Sequence, residues 1–308
     1  MENGIDKFVV VGGCSTGKTE AISRAVQNYN DRGIPSIALS FGTVYRALSS
    51  ALLSQGIGLD PKEYSDHKMR WVIGQEAETL KTRRTILSSQ NGNDPISELA
   101  VSEAAKLISF SFSHDSTLFT LNGVRLTDED LNMTELSLWA TAFARHKQVQ
   151  GKALEITKEI LEGAKGLGIK KIGFDGRGKD IINLCQTVMH IEDNMADRIR
   201  RYRLEHPGND NTSDSFLESV IKSRDSEDLS RSRNPLTIPN NAYLINRNGA
   251  NTHEVALLFM GLVDLHAANP EIQEAIPDTG IRIKFEEKRI VIDPRIPLVE
   301  DALYHVRR

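Results

Sequence analysis

The most constraining feature of this chain is a short stretch near its start, Val9-Val10-Val11-Gly12-Gly13-Cys14-Ser15-Thr16-Gly17-Lys18-Thr19. An apolar run leads into a Gly-rich loop, then lysine, then threonine. The residues that follow, Glu20-Ala21-Ile22-Ser23-Arg24-Ala25-Val26, have helical spacing. This is the G-x-x-x-x-G-K-[ST] phosphate loop in the strand–loop–helix setting its chemistry requires. Glycines let backbone N–H groups close around phosphate oxygens, and the helix N-terminus adds the positive end of its dipole. The expected nucleotide-binding loop is therefore Gly12, Gly13, Cys14, Ser15, Thr16, Gly17, Lys18 and Thr19. Lys18 is expected to reach the β- and γ-phosphates, and the Thr19 hydroxyl to sit on Mg²⁺. An ordinary Gly-rich turn is the competing reading; the flanking strand and helix decide against it. The loop implies a bound nucleoside triphosphate without saying what is done with it.

With 308 residues the chain has room for one large domain or two small ones. Hydrophobic residues make up 39% and charged residues 26%, a balance that fits a soluble globular protein. A net charge of -4 gives no general attraction for polyanions, so no nucleic-acid partner is expected and any basic site must be local. The only cysteines are Cys14 and Cys185. One lies inside the phosphate loop, which argues for a reducing compartment and against a structural disulfide. No stretch approaches the roughly 18 apolar residues of a membrane span. The first strand begins within a few residues of Met1, leaving no room for a signal peptide. A cytoplasmic protein with no membrane partner is expected.

Short apolar runs alternate with helical patterns. Phe8–Val11, Pro35–Ser40, Lys170–Phe174, Thr187–Ile191 and Ala242–Asn246 read as five strands of a parallel sheet buried on both faces. Helices between them make an α/β fold. From about Gly56 to Met133 the pattern changes. A polar helical stretch gives way to short runs at Leu107–Phe112, Thr117–Leu121 and Val124–Leu126, with Asn122-Gly123 as a hairpin signal. That region is expected to be a small antiparallel insert. Thr252 to Leu265 reads as a closing helix. Ile281–Phe285 and Arg289–Ile292 read as a hairpin in a tail after Pro270.

Asp175 ends the third of these strands, where open α/β sheets bind ligands. An acid there suits Mg²⁺ beside the phosphate loop; a turn aspartate before Gly176 is the alternative. Arg177 suits a phosphate. Arg198, Arg200, Arg201 and Arg203 crowd one helical turn with no acid among them. At 100° per residue Arg198 and Arg201 share one side and Arg200 and Arg203 the other. One pair is thus able to face transferring phosphates while the other stays solvated, and arginine's permanent, bidentate charge suits that work. An exposed basic face is the alternative. Arg224, Asp228 and Arg231 fall on one face of one helix. They form either a surface pair or a lid, with the loop 207–215 as its hinge.

Taken together, these residues resemble the bacterial-type cytidylate kinases of the nucleoside-monophosphate kinase group, over roughly residues 5–265. The resemblance rests on the order of several pieces: the phosphate loop; Gly42-Thr43-Val44-Tyr45-Arg46; Leu121-Asn122-Gly123-Val124-Arg125-Leu126-Thr127-Asp128-Glu129; Thr134-Glu135-Leu136-Ser137; Asp175-Gly176-Arg177; Arg224-Asp225-x-x-Asp228-x-x-Arg231; and Asn234-Pro235-Leu236. It implies a P-loop nucleoside-monophosphate-kinase-like fold, with a parallel five-stranded sheet flanked by helices, a small antiparallel insert and a helical lid. The core would comprise 1–55 and 134–269, with the lid at about 198–233. Residues 56–133 would form an acceptor-side insert domain, and 270–308 an extension beyond the family's usual end.

The implied activity is ATP-dependent phosphoryl transfer to a CMP- or dCMP-like nucleoside monophosphate. By matching position, Arg46 and Arg177 would bind the acceptor phosphate, and Asp228 and Arg231 its sugar and phosphate, with Arg224 on the same helix. Arg198 and Arg201 would act on the transferred phosphoryl with Lys18 and Asp175, and Thr19 with Asp175 would hold Mg²⁺. Departures from the family cluster on the acceptor side. Phe41 stands where a small hydroxyl residue is usual, Gln150 where an acceptor-binding arginine is usual, and Thr141 where a serine contacts the base. Gly178 stands where Asp follows Gly-Arg, with Asp180 two places on, and Glu227 replaces a lid arginine. Within the loop, Thr19 follows the lysine directly, where the family has glycine first.

These changes leave two further readings beside a nucleoside-monophosphate kinase. One is a kinase of the same fold acting on another small metabolite or modified nucleotide, with Asp175 or Asp180 as its base. The other is a nucleotide-binding regulator without transfer. The partner expected is a small-molecule phosphoryl acceptor; the sequence leaves the oligomeric state open.

Overall fold

The computed structural model describes residues 4–55, 57, 96–132, 136, 139–140, 143–176, 178–205, 212–230, 242–247, 249–269, 271–272, 276–277, 280–286, 289–293 and 299. Thr141, Arg177 and Arg231 lie outside the described residues. The chain divides into two compact units, one of residues 1–41, 114–116 and 163–308, the other of 42–113 and 117–162.

The first unit is built on β1 (Asp6–Gly12), whose Phe8, Val9, Val10 and Val11 are all fully buried. A strand apolar on both faces is stable only inside a sheet covered on both sides. Accordingly β1 lies between β6 (Lys171–Asp175) and β7 (Thr187–Glu192), parallel to both. Outside these sit β2 (Ser36–Ser40), parallel to β6, and β8 (Tyr243–Asn246), parallel to β7. Helix α1 (Lys18–Asp31) buries Ala21, Ile22, Ala25, Val26 and Tyr29 against one face. The Tyr29 hydroxyl donates to Asp264 Oδ1 at 2.9 Å, tying α1 to the long helix Thr252–Ala268. That helix starts with a capping box between Asn251 and Glu254.

The five strands read from the sequence are all present and parallel, but among the described residues the sheet has seven strands, ordered β10-β9-β8-β7-β1-β6-β2. The expectation of five is corrected by the tail hairpin. Here β9 (Ile281–Glu286) adds parallel to β8, and β10 (Arg289–Asp293) turns back antiparallel beside it. The physical reason is alternation: Ile281 and Ile283 are fully buried while Arg282 and Lys284 face out. A strand with one apolar face gains by covering the open edge of β8 and joining its core.

In the second unit, β3 (Ile108–Phe112), β4 (Thr117–Leu121) and β5 (Val124–Arg125) form an antiparallel sheet. Asn122 and Gly123, with φ 52° and 78°, make the tight turn between β4 and β5. Helix α2 (Phe41–Ser54) leads into this unit and helix α5 (Lys147–Gly166) leaves it. Between them lie α3 (Glu98–Ala105), capped by the Ser97 side chain, and the short α4 (Asp128–Asn132). The rings of Trp139 and Phe143 stack with centroids 5.5 Å apart.

Candidate active site

The loop between β1 and α1 lies at the carboxyl ends of the parallel strands. Its backbone is bent as a phosphate loop must be. Gly17 is left-handed (φ 78°) at the N-cap of α1, and Ser15 takes φ 53°, a conformation costly for a residue with a Cβ. The ammonium of Lys18, almost fully buried, donates to the Gly13 carbonyl at 2.6 Å and to Thr16 Oγ1 at 3.3 Å. The Thr19 hydroxyl donates to Asp175 Oδ2, so the two residues expected at a magnesium ion are in direct contact. A hydroxyl and a carboxylate are hard oxygen donors, and Mg²⁺ commonly takes one or two protein oxygens and draws the rest from phosphates and water. The pair fits that role. Among the described residues no cluster of three or more His, Cys, Asp or Glu is arranged to hold a metal by itself.

After the short α6 (Lys179–Ile182), the helix α7 (Met195–Glu205) presents two of its arginines to the loop. Arg198 Nε donates to the Cys14 carbonyl at 2.8 Å, and Arg201 Nε to the Ser15 carbonyl at 2.9 Å. A third guanidinium completes the series: Arg247 Nη1 reaches the Thr16 carbonyl at 3.4 Å. Three consecutive loop carbonyls thus each accept from an arginine. The far ends of the two α7 arginines are met by acids. Arg198 Nη2 pairs with Asp225 Oδ2 at 2.5 Å, and Arg201 Nη2 pairs with the fully buried Asp193. Arg200 and Arg203, on the other side of α7, pair with Asp197 at 2.8 Å and Asp214 at 2.6 Å. The acids absent from the arginine run itself therefore come from its flanks and from α8 (Asp214–Ser230).

Two carboxylates also touch the loop. Asp225 Oδ1 accepts the Cys14 backbone N–H at 2.7 Å, and Glu205 Oε2 accepts the Ser15 hydroxyl at 2.8 Å. A methyl group on Gly13 would lie 2.7 Å from Arg198 Nη2 and 2.9 Å from Asp225 Oδ2, so a larger residue there would make the ends of this pair shift. Arg247 is held by the Ala250 carbonyl at 2.7 Å and Thr252 Oγ1 at 3.1 Å. Burial, and then the neighbouring Arg201 charge, hold its guanidinium below the usual arginine range; Asp193, Glu20 and Asp197 work the other way. Buried His190, on β7, is pushed down by desolvation and by the Lys18 charge, against Glu192. Burial raises the Tyr202 phenol, and Arg224 beside it opposes the rise.

The structure thus brings together Lys18, Thr19, Asp175, Arg198 and Arg201 around the loop. Among the described residues, the expected acceptor-side ones fall on α2, α5 and α8. Phe41 is buried at the start of α2, and Arg46 on the same helix donates to Thr43 Oγ1 at 3.1 Å. Gln150 is buried on α5; its amide donates to the Ala144 carbonyl at 2.6 Å, and its Oε1 has no hydrogen-bond partner among the described residues. Arg224 is exposed on α8, and Asp228 lies near the end of that helix with its side chain outside the described residues.

Sequence reasoning gave no role to Asp193, Glu205, Asp225 or Arg247. Two of them carried a legible signal: Asp193 directly follows β7 and Arg247 directly follows β8, at the sheet edge where α/β proteins bind ligands. No curated protein matches the chain closely enough to report. A family comparison, by contrast, aligns residues 10–264 with the cytidylate kinases, a match that spans the phosphate loop, the insert and the helix ending at Ala268 almost in full. On that match over most of its length, the chain belongs to the cytidylate kinase family.

Proposed function

We propose that this protein moves the terminal phosphoryl group of ATP to the phosphate of a CMP- or dCMP-like nucleoside monophosphate, giving ADP and the nucleoside diphosphate. The family suggests ATP-dependent phosphorylation of nucleoside monophosphates and a kinase-type transferase. The observation that carries the reading is the Thr19–Asp175 contact beside Lys18 in the phosphate loop, which collects the donor-side groups at one point.

In this reading an oxygen of the acceptor phosphate attacks the γ-phosphorus. A new P–O bond forms as the bond from the γ-phosphorus to the β,γ-bridging oxygen breaks. The electron pair leaves with ADP. The acceptor phosphate is already nucleophilic, so positioning and charge neutralisation carry the catalysis. Loop N–H groups and Lys18 hold the donor phosphates, while Arg198 and Arg201 neutralise the transferring charge. Thr19 and Asp175 would hold a magnesium ion, which shields phosphate charge when bound. Arg46, Arg177, Arg224, Asp228 and Arg231, with Thr141, are the proposed acceptor-side contacts. The proposed core spans 1–55 and 134–269, with a lid at about 198–233.

Gln150 favours a second reading. A neutral amide bound to the Ala144 carbonyl replaces the family's arginine, which removes a bidentate phosphate contact of order 1.5–3 kcal/mol. A modified nucleotide or another small metabolite as acceptor follows from that loss.

The test is to incubate the protein with Mg-ATP and a panel of nucleoside monophosphates and to follow ADP. Acceptor-stimulated ADP with CMP or dCMP supports the first reading. No stimulation by any member of the panel sinks it.

A further inference from the structure

The carboxylate of Asp225 sits where an anion belongs. It accepts the Cys14 N–H at 2.7 Å and pairs with Arg198 at 2.5 Å. Both oxygens lie within 3.0 Å of where a methyl on Gly13 would be, so the carboxylate covers the loop at that residue. Its partners are of the kind that a phosphate oxygen uses in such loops: a backbone N–H and an arginine. The carboxylate is carried by α8, whose Leu217 and Ile221 pack with Cys14 and with Ile199 of α7 in one small apolar cluster. The helix is therefore seated on the loop by packing as well as by charge. Glu205, on Ser15, adds a second negative group at the same rim.

We propose that Asp225 is an affinity-setting residue of the donor site: an internal anion that competes with a nucleotide's phosphates for the Cys14 N–H and for Arg198. A triphosphate reaching this part of the loop meets a fixed negative charge and must displace it. Displacement frees Arg198 from its acid and removes the charged contact between α8 and the loop, leaving only their apolar packing, so donor binding and the hold on that helix are linked. Arg198 exchanges one anion for another and is never left without a partner. The proposal rests on the donor-site reading above.

Two variants and two measurements test it. Asp225→Asn still accepts the Cys14 N–H but carries no charge, and Asp225→Ala removes both contacts. Titration calorimetry with Mg-ATP is expected to give at least fivefold tighter binding for both variants than for the unsubstituted protein, with adenosine as the control that carries no phosphate. Equal or weaker binding overturns the proposal and assigns Asp225 a supporting role toward Arg198. The second measurement needs no nucleotide. Hydrogen exchange in the peptide that contains Cys14 is expected to rise about tenfold in Asp225→Ala; unchanged exchange overturns the latch. If no form of the protein binds Mg-ATP yet exchange rises, the donor reading fails and the contact between Asp225 and the loop stands. If all forms bind Mg-ATP equally, the donor reading stands and the competition fails.

Discussion

The donor loop and the expected acceptor-side residues differ in how their charges are treated. Around the loop every arginine of α7 has an acid within reach: Asp225, Asp197, Asp193 and Asp214 serve Arg198, Arg200, Arg201 and Arg203. On the proposed acceptor side, Phe41 is a buried ring and Gln150 a buried amide where the resemblance implies polar or charged contacts. A site that binds polyphosphate has to store cations without letting them repel, and intramolecular acids are the local solution. The proposed acceptor side keeps Arg46, Arg177, Arg224 and Arg231 but has a neutral amide at Gln150, which removes one charged contact to a phosphate. In the proposed reading the loop is the fixed half of this chemistry and the acceptor side the variable half.

The strongest way to break that contrast is Lys18→Ala. Removing the one ammonium inside the loop is expected to lower turnover about 10³-fold, with any acceptor, in a coupled ADP assay. Turnover near that of the unsubstituted protein would place the chemistry elsewhere. Next comes Asp193→Asn. Its carboxylate is fully buried between Arg201 and the field of Arg247. Neutralising it removes the acid paired with Arg201, for a loss of about 3–5 kcal/mol in thermal or urea unfolding. A loss under about 1 kcal/mol would mean that the arginines do not depend on internal acids. Gln150→Arg sharpens the other half: CMP kcat/KM is expected to rise about tenfold, the lower end of a charged hydrogen bond. An unchanged value would mean that the acceptor phosphate lies elsewhere.

A last effect, on stability alone, serves as a control remote from the loop. His266, near the C-terminus of its helix, is buried against the Tyr243 hydroxyl at 2.9 Å, and burial pushes it down to about 4. The unfolded chain takes up this proton first as the pH falls. Stability from His266 is therefore complete above about pH 6.5 and is lost between there and about pH 4, worth about 2 kcal/mol after some screening. His266→Gln should flatten that part of a stability–pH curve. A curve of unchanged steepness would assign the slope to other groups.

Much of the donor half was legible because its signals are local. The phosphate loop is contiguous, and each core strand is a short segment with an apolar centre, bounded by turn or polar residues. The Arg198–Arg201 face follows from helical geometry alone. What was not legible is long-range. Asp225 meets Cys14 across 211 residues, and nothing in either neighbourhood announces it. The tail hairpin could be seen as two strands, but its partner was invisible, because β8 looks the same whether its edge is open or covered. Arg247 was missed although it follows a core strand directly. A lone arginine among Asn246, Asn248 and Gly249 reads as a loop residue until the loop carbonyl it reaches is known.

The strand order has a consequence for how the protein is made. Of the strands in this sheet, the one that leads into the phosphate loop is synthesised first, yet its two neighbours begin at residues 171 and 187. The edge of β8 is covered only by residues 281–286. Newly synthesised β1 must therefore wait, apolar on both faces, through more than half the chain. During that interval it is the segment most in need of a chaperone, and slowing translation before residue 171 should lower the yield of folded protein more than slowing it after residue 293.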